Sequence, residues 1–156
     1  MKNIAIFPGS FDPFTVGHES VVVRACNLFE EIIVAVGVHS GKVPLMSAPS
    51  RVSMINEVFK DNPKVSCQSF EGLTVEFCKK VNANYMLRGI RTAADFEYER
   101  AVAQINKRML PEVESVFLLT SPEHTPVNST IIRDIIRNNG DASQFLPAGI
   151  DIKQYL

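Results

Sequence analysis

Cysteine and histidine are scarce, with three of each among 156 residues. Cys26, Cys67 and Cys78 lie far apart, each inside an apolar segment, and their odd number does not suit a disulfide framework. Without close pairs they do not suit a zinc site either, and they read as buried, reduced side chains. His18, His39 and His124 are equally dispersed and lack helical HxxxH spacing, so no protein-built metal site is expected. No apolar run approaches the roughly 20 residues that span a bilayer. The opening "MKNIAIFPGS" is interrupted too soon by Pro8 and Gly9 to act as a signal peptide, so a cytoplasmic location without a membrane partner is expected. The formal net charge of −1 offers no general attraction for nucleic acid, and an anionic ligand must be met by local clusters. There is no internal repeat, linker or low-complexity run, and a single domain over residues 1–156 is expected.

What is present is an alternation of two patterns. Short apolar, β-branched or alternating runs at 3–7, 31–38, 64–70, 84–90 and 114–120 read as strands. Between and after them, segments 17–29, 48–61, 73–82, 93–110 and 128–140 carry apolar residues at helical spacing. Pro49 stands at a first-turn position of the second, Pro111 stops the fourth, and Gly140 is the expected stop of the last. The tail from Asp141 holds one or two short helical turns. Strands alternating with helices predict an α/β chain: one Rossmann-like domain whose five-stranded parallel sheet has helices on both faces.

On such a sheet, ligands bind outside the carboxyl ends of the strands. The residues following the five strands are therefore the candidates. Gly9, Ser10 and Phe11 follow the first, with His18 opening the next helix. His39, Ser40 and Lys42 follow the second, and Gly72, Leu73 and Thr74 the third. Arg88, Gly89, Ile90 and Arg91 end the fourth, and Ser121 to Thr130 follow the fifth. Cations, glycines and hydroxyls gathered on one edge suit a ligand with more than one phosphate. A helix N-terminus leaves N–H groups unpaired and favours anions, and Gly17 lets the backbone approach closely. His18 in the first turn can donate from its ring to a phosphate oxygen. Neither GxxxxGK(S/T) nor GxGxxG occurs, so this is not a Walker or dinucleotide loop.

These residues carry a resemblance. "TVGH" (15–18) matches the H/T-x-G-H signature of the nucleotidyltransferase superfamily, and "VNSTIIR" (127–133) is similar to its second signature, ISSTxxR. "PGSFDPFTVGH", "LRGIRTAADFEYE" (87–99) and "PEVESVFLLTSPEHTPVNST" (111–130) together resemble the bacterial phosphopantetheine adenylyltransferase family, in register to about Pro147. Three positions depart from its usual pattern. Asn128 replaces a serine, Ser10 stands where threonine is common, and Thr74 where an apolar residue is usual.

The resemblance implies adenylyl transfer from ATP to 4′-phosphopantetheine, giving 3′-dephospho-coenzyme A and pyrophosphate in coenzyme A biosynthesis. It implies catalytic roles for His18, Lys42 and Arg91. ATP would be held by Ser10, Phe11, His18, Gly89, Ile90, Arg91, Glu99 and the run His124, Thr125, Pro126, Val127, Asn128, Ser129 and Thr130. Ser10, Lys42, Thr74 and Arg88 would bind the acceptor. Mg²⁺ would arrive on the nucleotide, since no carboxylate cage is evident. A homohexamer is the implied assembly. The acceptor phosphate is already anionic at neutral pH, so no general base is required. Catalysis would rest on positioning and charge stabilisation.

Overall fold

Alternate residues of a strand point to opposite faces of a sheet, and here both faces are apolar. In the computed structural model, which describes all of residues 1–156, Ala5, Phe7, Ile32 and Val34 enter one core with Val22, Met54, Ile55 and Ile132. Ile6, Ile33, Ala35 and Met86 enter a smaller one with Val75, Phe77 and Cys78. The elements run β1 (Ile4–Gly9), α1 (Val16–Ala25), β2 (Glu31–Gly37), α2 (Ala48–Val58), β3 (Val65–Phe70), α3 (Thr74–Val81), β4 (Tyr85–Ile90), α4 (Ala93–Met109), β5 (Glu114–Leu119) and α5 (Ser129–Arg137). The strands form one parallel sheet in the order β3-β2-β1-β4-β5, with helices on both faces as the alternation predicts.

Three helix ends fall short of the sequence expectation, and α2 is one of them, stopping at Val58 rather than residue 61. α1 stops at Ala25, and residues up to Phe29 continue as turns bonded back to Arg24 and Ala25. α5 stops at Arg137, because Asn139 already takes the left-handed conformation (φ 60°) that ends a helix. Gly140 then only donates back to the Ile135 carbonyl. In the tail, short 3-10 turns at Ser143–Phe145 and Ile152–Gln154 hold Ala142 and Leu146 against the larger core.

The strand order positions the site. From β1 the chain winds outward through β2 to β3, then returns to add β4 and β5 on the other side, so the order reverses between β1 and β4. A crevice opens at such a reversal. Here it is widened by a broken ladder. β1 and β2 pair along six positions, whereas β1 and β4 pair only at Ala5–Tyr85 and Ile6–Met86. Pro8 has no N–H to donate, which suits a strand parting from its neighbour.

Candidate functional site

The turn after β1 is built around an aromatic packed on a glycine. Phe11 takes φ 50°, and a Cβ on Gly9 would lie 2.8 Å from the Phe11 ring. Gly9 is therefore required for this ring to fold back, more than for a sharp turn off the strand. Asp12 braces the turn: its carboxylate accepts from the N–H groups of Leu45 (2.8 Å) and Met46 (2.9 Å).

Thr15 caps α1, and its hydroxyl accepts from the His18 N–H at 3.3 Å. In return the Thr15 N–H donates to His18 Nδ1 at 3.0 Å, a capping box in which imidazole replaces the usual Glu or Gln. A nitrogen that accepts from an N–H carries no proton, so the neutral ring holds its hydrogen on Nε2, free to donate. The rings of Phe7, Phe11 and Phe14 surround the imidazole with centroids 5.0–6.3 Å away. Burial, with Arg91 and then Arg88 adding to it, pulls the His18 pKa from 6.5 down to about 3. His18 is thus a neutral donor rather than a cation.

A testable consequence follows for pH. In the free protein the His18 ring signals should not move in an NMR titration between pH 5 and 8; an inflection near 6.5 in those signals would contradict the geometry. Because its folded pKa is depressed, the unfolded chain takes up this proton first, and stability falls as pH drops from about 6.5 towards 3. His18→Gln keeps a capping partner and cannot titrate, so its Tm should fall less than that of the wild type over this window.

Across the crevice, Arg88 of β4 spans the gap left by the broken ladder. Its guanidinium donates to the Pro8 carbonyl and grips both Glu99 oxygens, Nε at 2.8 Å and Nη2 at 2.5 Å. Glu99, near the middle of α4, therefore holds Arg88 with both oxygens rather than standing as a free acceptor. Arg91 lies at the rim, its N–H and Nε both donating to Asp95.

The third wall is the start of α5. Asn128 is its N-cap, accepting from the Ile131 N–H at 2.9 Å. Ser129 directs its hydroxyl to the Pro13 carbonyl (2.8 Å), tying α5 to the β1 turn. Arg133 donates to the Asp12 carbonyl and to Thr130 Oγ1. Beside this wall, burial pushes the Glu19 carboxyl up, opposed by His124.

Three adjoining cavities result. The first, about 310 Å³, is walled by Ser10, Phe11, His18, Arg88, Gly89, Arg91, Glu99, His124 and Val127 to Thr130. The second, about 390 Å³, runs past Thr74, Phe70, Tyr98, Arg88 and Glu99. The third, about 490 Å³, holds Lys42 with His39, Arg51, Arg133 and Arg137. Ser10 lines all three. Ile90, Thr125 and Pro126 lie off these walls, Ile90 because its side chain is buried beneath the sheet edge. Arg51, Arg137 and Asp95 were not among the residues singled out from sequence. Arg51 is a lone cation within an apolar helical stripe, and that was its only signal.

The first cavity is a place for anions: a neutral imidazole donor, two guanidinium groups and a helix N-terminus face one space. The acids around it are committed, Asp12 to backbone N–H groups, Glu99 to Arg88 and Asp95 to Arg91. No helix of the chain is long and apolar enough to cross a membrane.

Residues 6–135 match the cytidylyltransferase-like family model. A phosphopantetheine adenylyltransferase from Flavobacterium psychrophilum is 48% identical over 149 residues, covering 96% of this chain and 98% of that protein. One from Bacteroides thetaiotaomicron is 46% identical, covering 95% and 97%, and one from Leptospira biflexa 46%, covering 94% and 92%. Among solved structures, a bifunctional NMN adenylyltransferase/ADP ribose pyrophosphatase from Francisella tularensis superposes with a TM-score of 0.74 at 18% identity. It covers 98% of this chain, which spans only 47% of that protein, and the likeness is one of fold. Relatives matched nearly end to end at almost half their residues, on a sheet that opens at β1 and β4, mean that this chain belongs to the phosphopantetheine adenylyltransferase family of nucleotidyltransferases.

Proposed function

We propose that the chain acts as one nucleotidyltransferase domain, residues 1–156. It transfers the adenylyl group of ATP to 4′-phosphopantetheine, giving 3′-dephospho-coenzyme A and pyrophosphate. The observation that carries this reading is the shared position of Ser10. It lines an anion cavity, a second cavity walled by Phe70, Thr74 and Tyr98, and a cationic cavity at once. An in-line displacement needs a donor phosphate, an acceptor phosphate and room for the acceptor's arm to meet at one point.

In this reading a phosphate oxygen of the acceptor bonds to the α-phosphorus of ATP. The bond from that phosphorus to the bridging oxygen breaks, and pyrophosphate leaves with the electron pair. His18 donates through Nε2 to the α-phosphate as negative charge builds there. Arg91 and the N-terminus of α5 bind the ATP phosphates, while Lys42 and Ser10 orient the attacking phosphate. Arg88, held by Glu99, anchors the acceptor, whose arm runs past Thr74. Asn128 serves as the cap of α5. Ser129 spends its hydroxyl hydrogen on Pro13, so its contact with nucleotide is through the backbone N–H.

Mg²⁺ would come bound to the nucleotide and supply neutralising charge, while Arg91 and the α5 N-terminus hold the phosphates. The committed acids support a metal carried by ATP rather than one held by the chain. A homohexamer is supported by α4, which buries none of its 17 residues and leaves Phe96, Tyr98, Ile105 and Met109 exposed. A cytoplasmic setting is supported by three cysteines that remain unpaired.

The test is pyrophosphate release by the purified protein with ATP and a panel of acceptors. 4′-Phosphopantetheine should be turned over, whereas nicotinate mononucleotide and glycerol phosphate should not. Turnover of either in preference to phosphopantetheine would replace this reading.

A further inference from the structure

Arg51 in the first turn of α2 is only 5% exposed, and no ion pair of the chain includes it. Its bonds go to carbonyls alone: Nε to Met46 at 3.1 Å, Nη1 to Ser10 at 2.7 Å and to Gly37 at 3.4 Å. Nη2 has no partner in the chain. Asp12, on the same cavity wall, gives both carboxylate oxygens to the backbone of Leu45 and Met46 and does not neutralise it. A buried cation without a carboxylate is costly, and an apolar side chain is the ordinary occupant of such a position.

What the guanidinium supplies is a rigid planar fork joining three segments, at Ser10, Gly37 and Met46, which stand 41, 14 and 5 positions before it. It holds the turn after β1 through Ser10, the end of β2 through Gly37, and the entry to α2 through Met46. The first of these carries the Ser10 hydroxyl. The second leads directly into the loop that carries Lys42. The same residue lines the cavity of Lys42, Arg133 and Arg137, so its unpaired charge adds to the positive field there.

We propose that Arg51 is a positioning residue for the acceptor phosphate, setting Ser10 and the Lys42 loop at the separation that phosphate requires. The role rests on phosphopantetheine as the acceptor. It differs from general support of the fold, because it predicts a loss confined to the phosphate.

The experiment is calorimetry of 4′-phosphopantetheine and of unphosphorylated pantetheine, each against the wild type, Arg51→Met and Arg51→Lys. The wild type should prefer the phosphorylated compound. In Arg51→Met that preference should shrink about tenfold, with pantetheine and ATP affinities held within about twofold. Arg51→Lys keeps the charge but cannot reach three carbonyls, and should also lose most of the preference. If Arg51→Met does not fold, Arg51→Lys decides alone. An unchanged preference in Arg51→Lys, or equal loss of both compounds in either variant, overturns the role. A wild type with no preference for the phosphorylated compound removes the substrate reading itself, a result visible before any variant is made.

Discussion

His18→Ala should lower kcat by roughly 10²–10³, the scale of losing one preorganised donor to a transition-state charge. The affinity for ATP should change far less, because the contact strengthens only as charge moves onto the α-phosphate. The imidazole is suited to this task by its surroundings. Thr15 holds Nδ1 as an acceptor, the three phenylalanine rings fix the plane, and the depressed pKa keeps a proton on Nε2 alone. Alanine also removes half of the capping box, so folding and chemistry must be separated. His18→Gln restores an N3 capping partner and should recover stability while leaving turnover well below that of the wild type. A folded His18→Ala with kcat reduced less than tenfold would mean that the ring is a helix cap and nothing more.

Arg88→Ala should raise KM for phosphopantetheine by roughly 10²-fold, in the range expected for a lost hydrogen bond to a charged group with further penalties added. The further penalty comes from Glu99. Its side chain is 12% exposed and has both oxygens on Arg88, so removal of the guanidinium leaves a poorly solvated carboxylate beside an incoming anion. Adding Glu99→Gln to Arg88→Ala should therefore recover part of the lost acceptor affinity. ATP affinity should move only a few-fold, since Arg91 and the α5 N-terminus remain. Steady-state kinetics with each substrate varied, together with calorimetry for ATP, measure this. Equal losses for ATP and acceptor, or no gain from the second substitution, would remove Arg88 from the acceptor side.

Much of this architecture was legible in the chain. The apolar runs at 3–7 and 31–38 became two of the three interior strands, with side chains buried on both faces. The local geometry around His18 was legible too, since "TVGH" places a cap, a small residue and a ring donor at one helix start. The helix ends were less legible. Gly140 looked like a stop, but Asn139 can adopt the left-handed conformation itself, and α5 closes earlier. Glu99 could be singled out as a candidate acid but not as the partner of Arg88, which stands 11 positions earlier on another element.

By itself the sequence determined the class of fold and the family, and it named the sheet edge where a ligand is expected, because these rest on periodicity and on short contiguous segments. Periods of two and about 3.6 residues record which side of each element is apolar, and that information is local. The tertiary structure alone decided the rest. The strand order sets β4 beside β1, their pairing stops at Ile6, and Arg88 reaches the Pro8 carbonyl across 80 positions of chain. Arg133 meets the Asp12 carbonyl across 121 positions, and Arg51 meets that of Ser10 across 41. Such pairs leave no periodic trace. Each depends on where whole elements come to rest, which the packing of both sheet faces sets together and no short segment specifies.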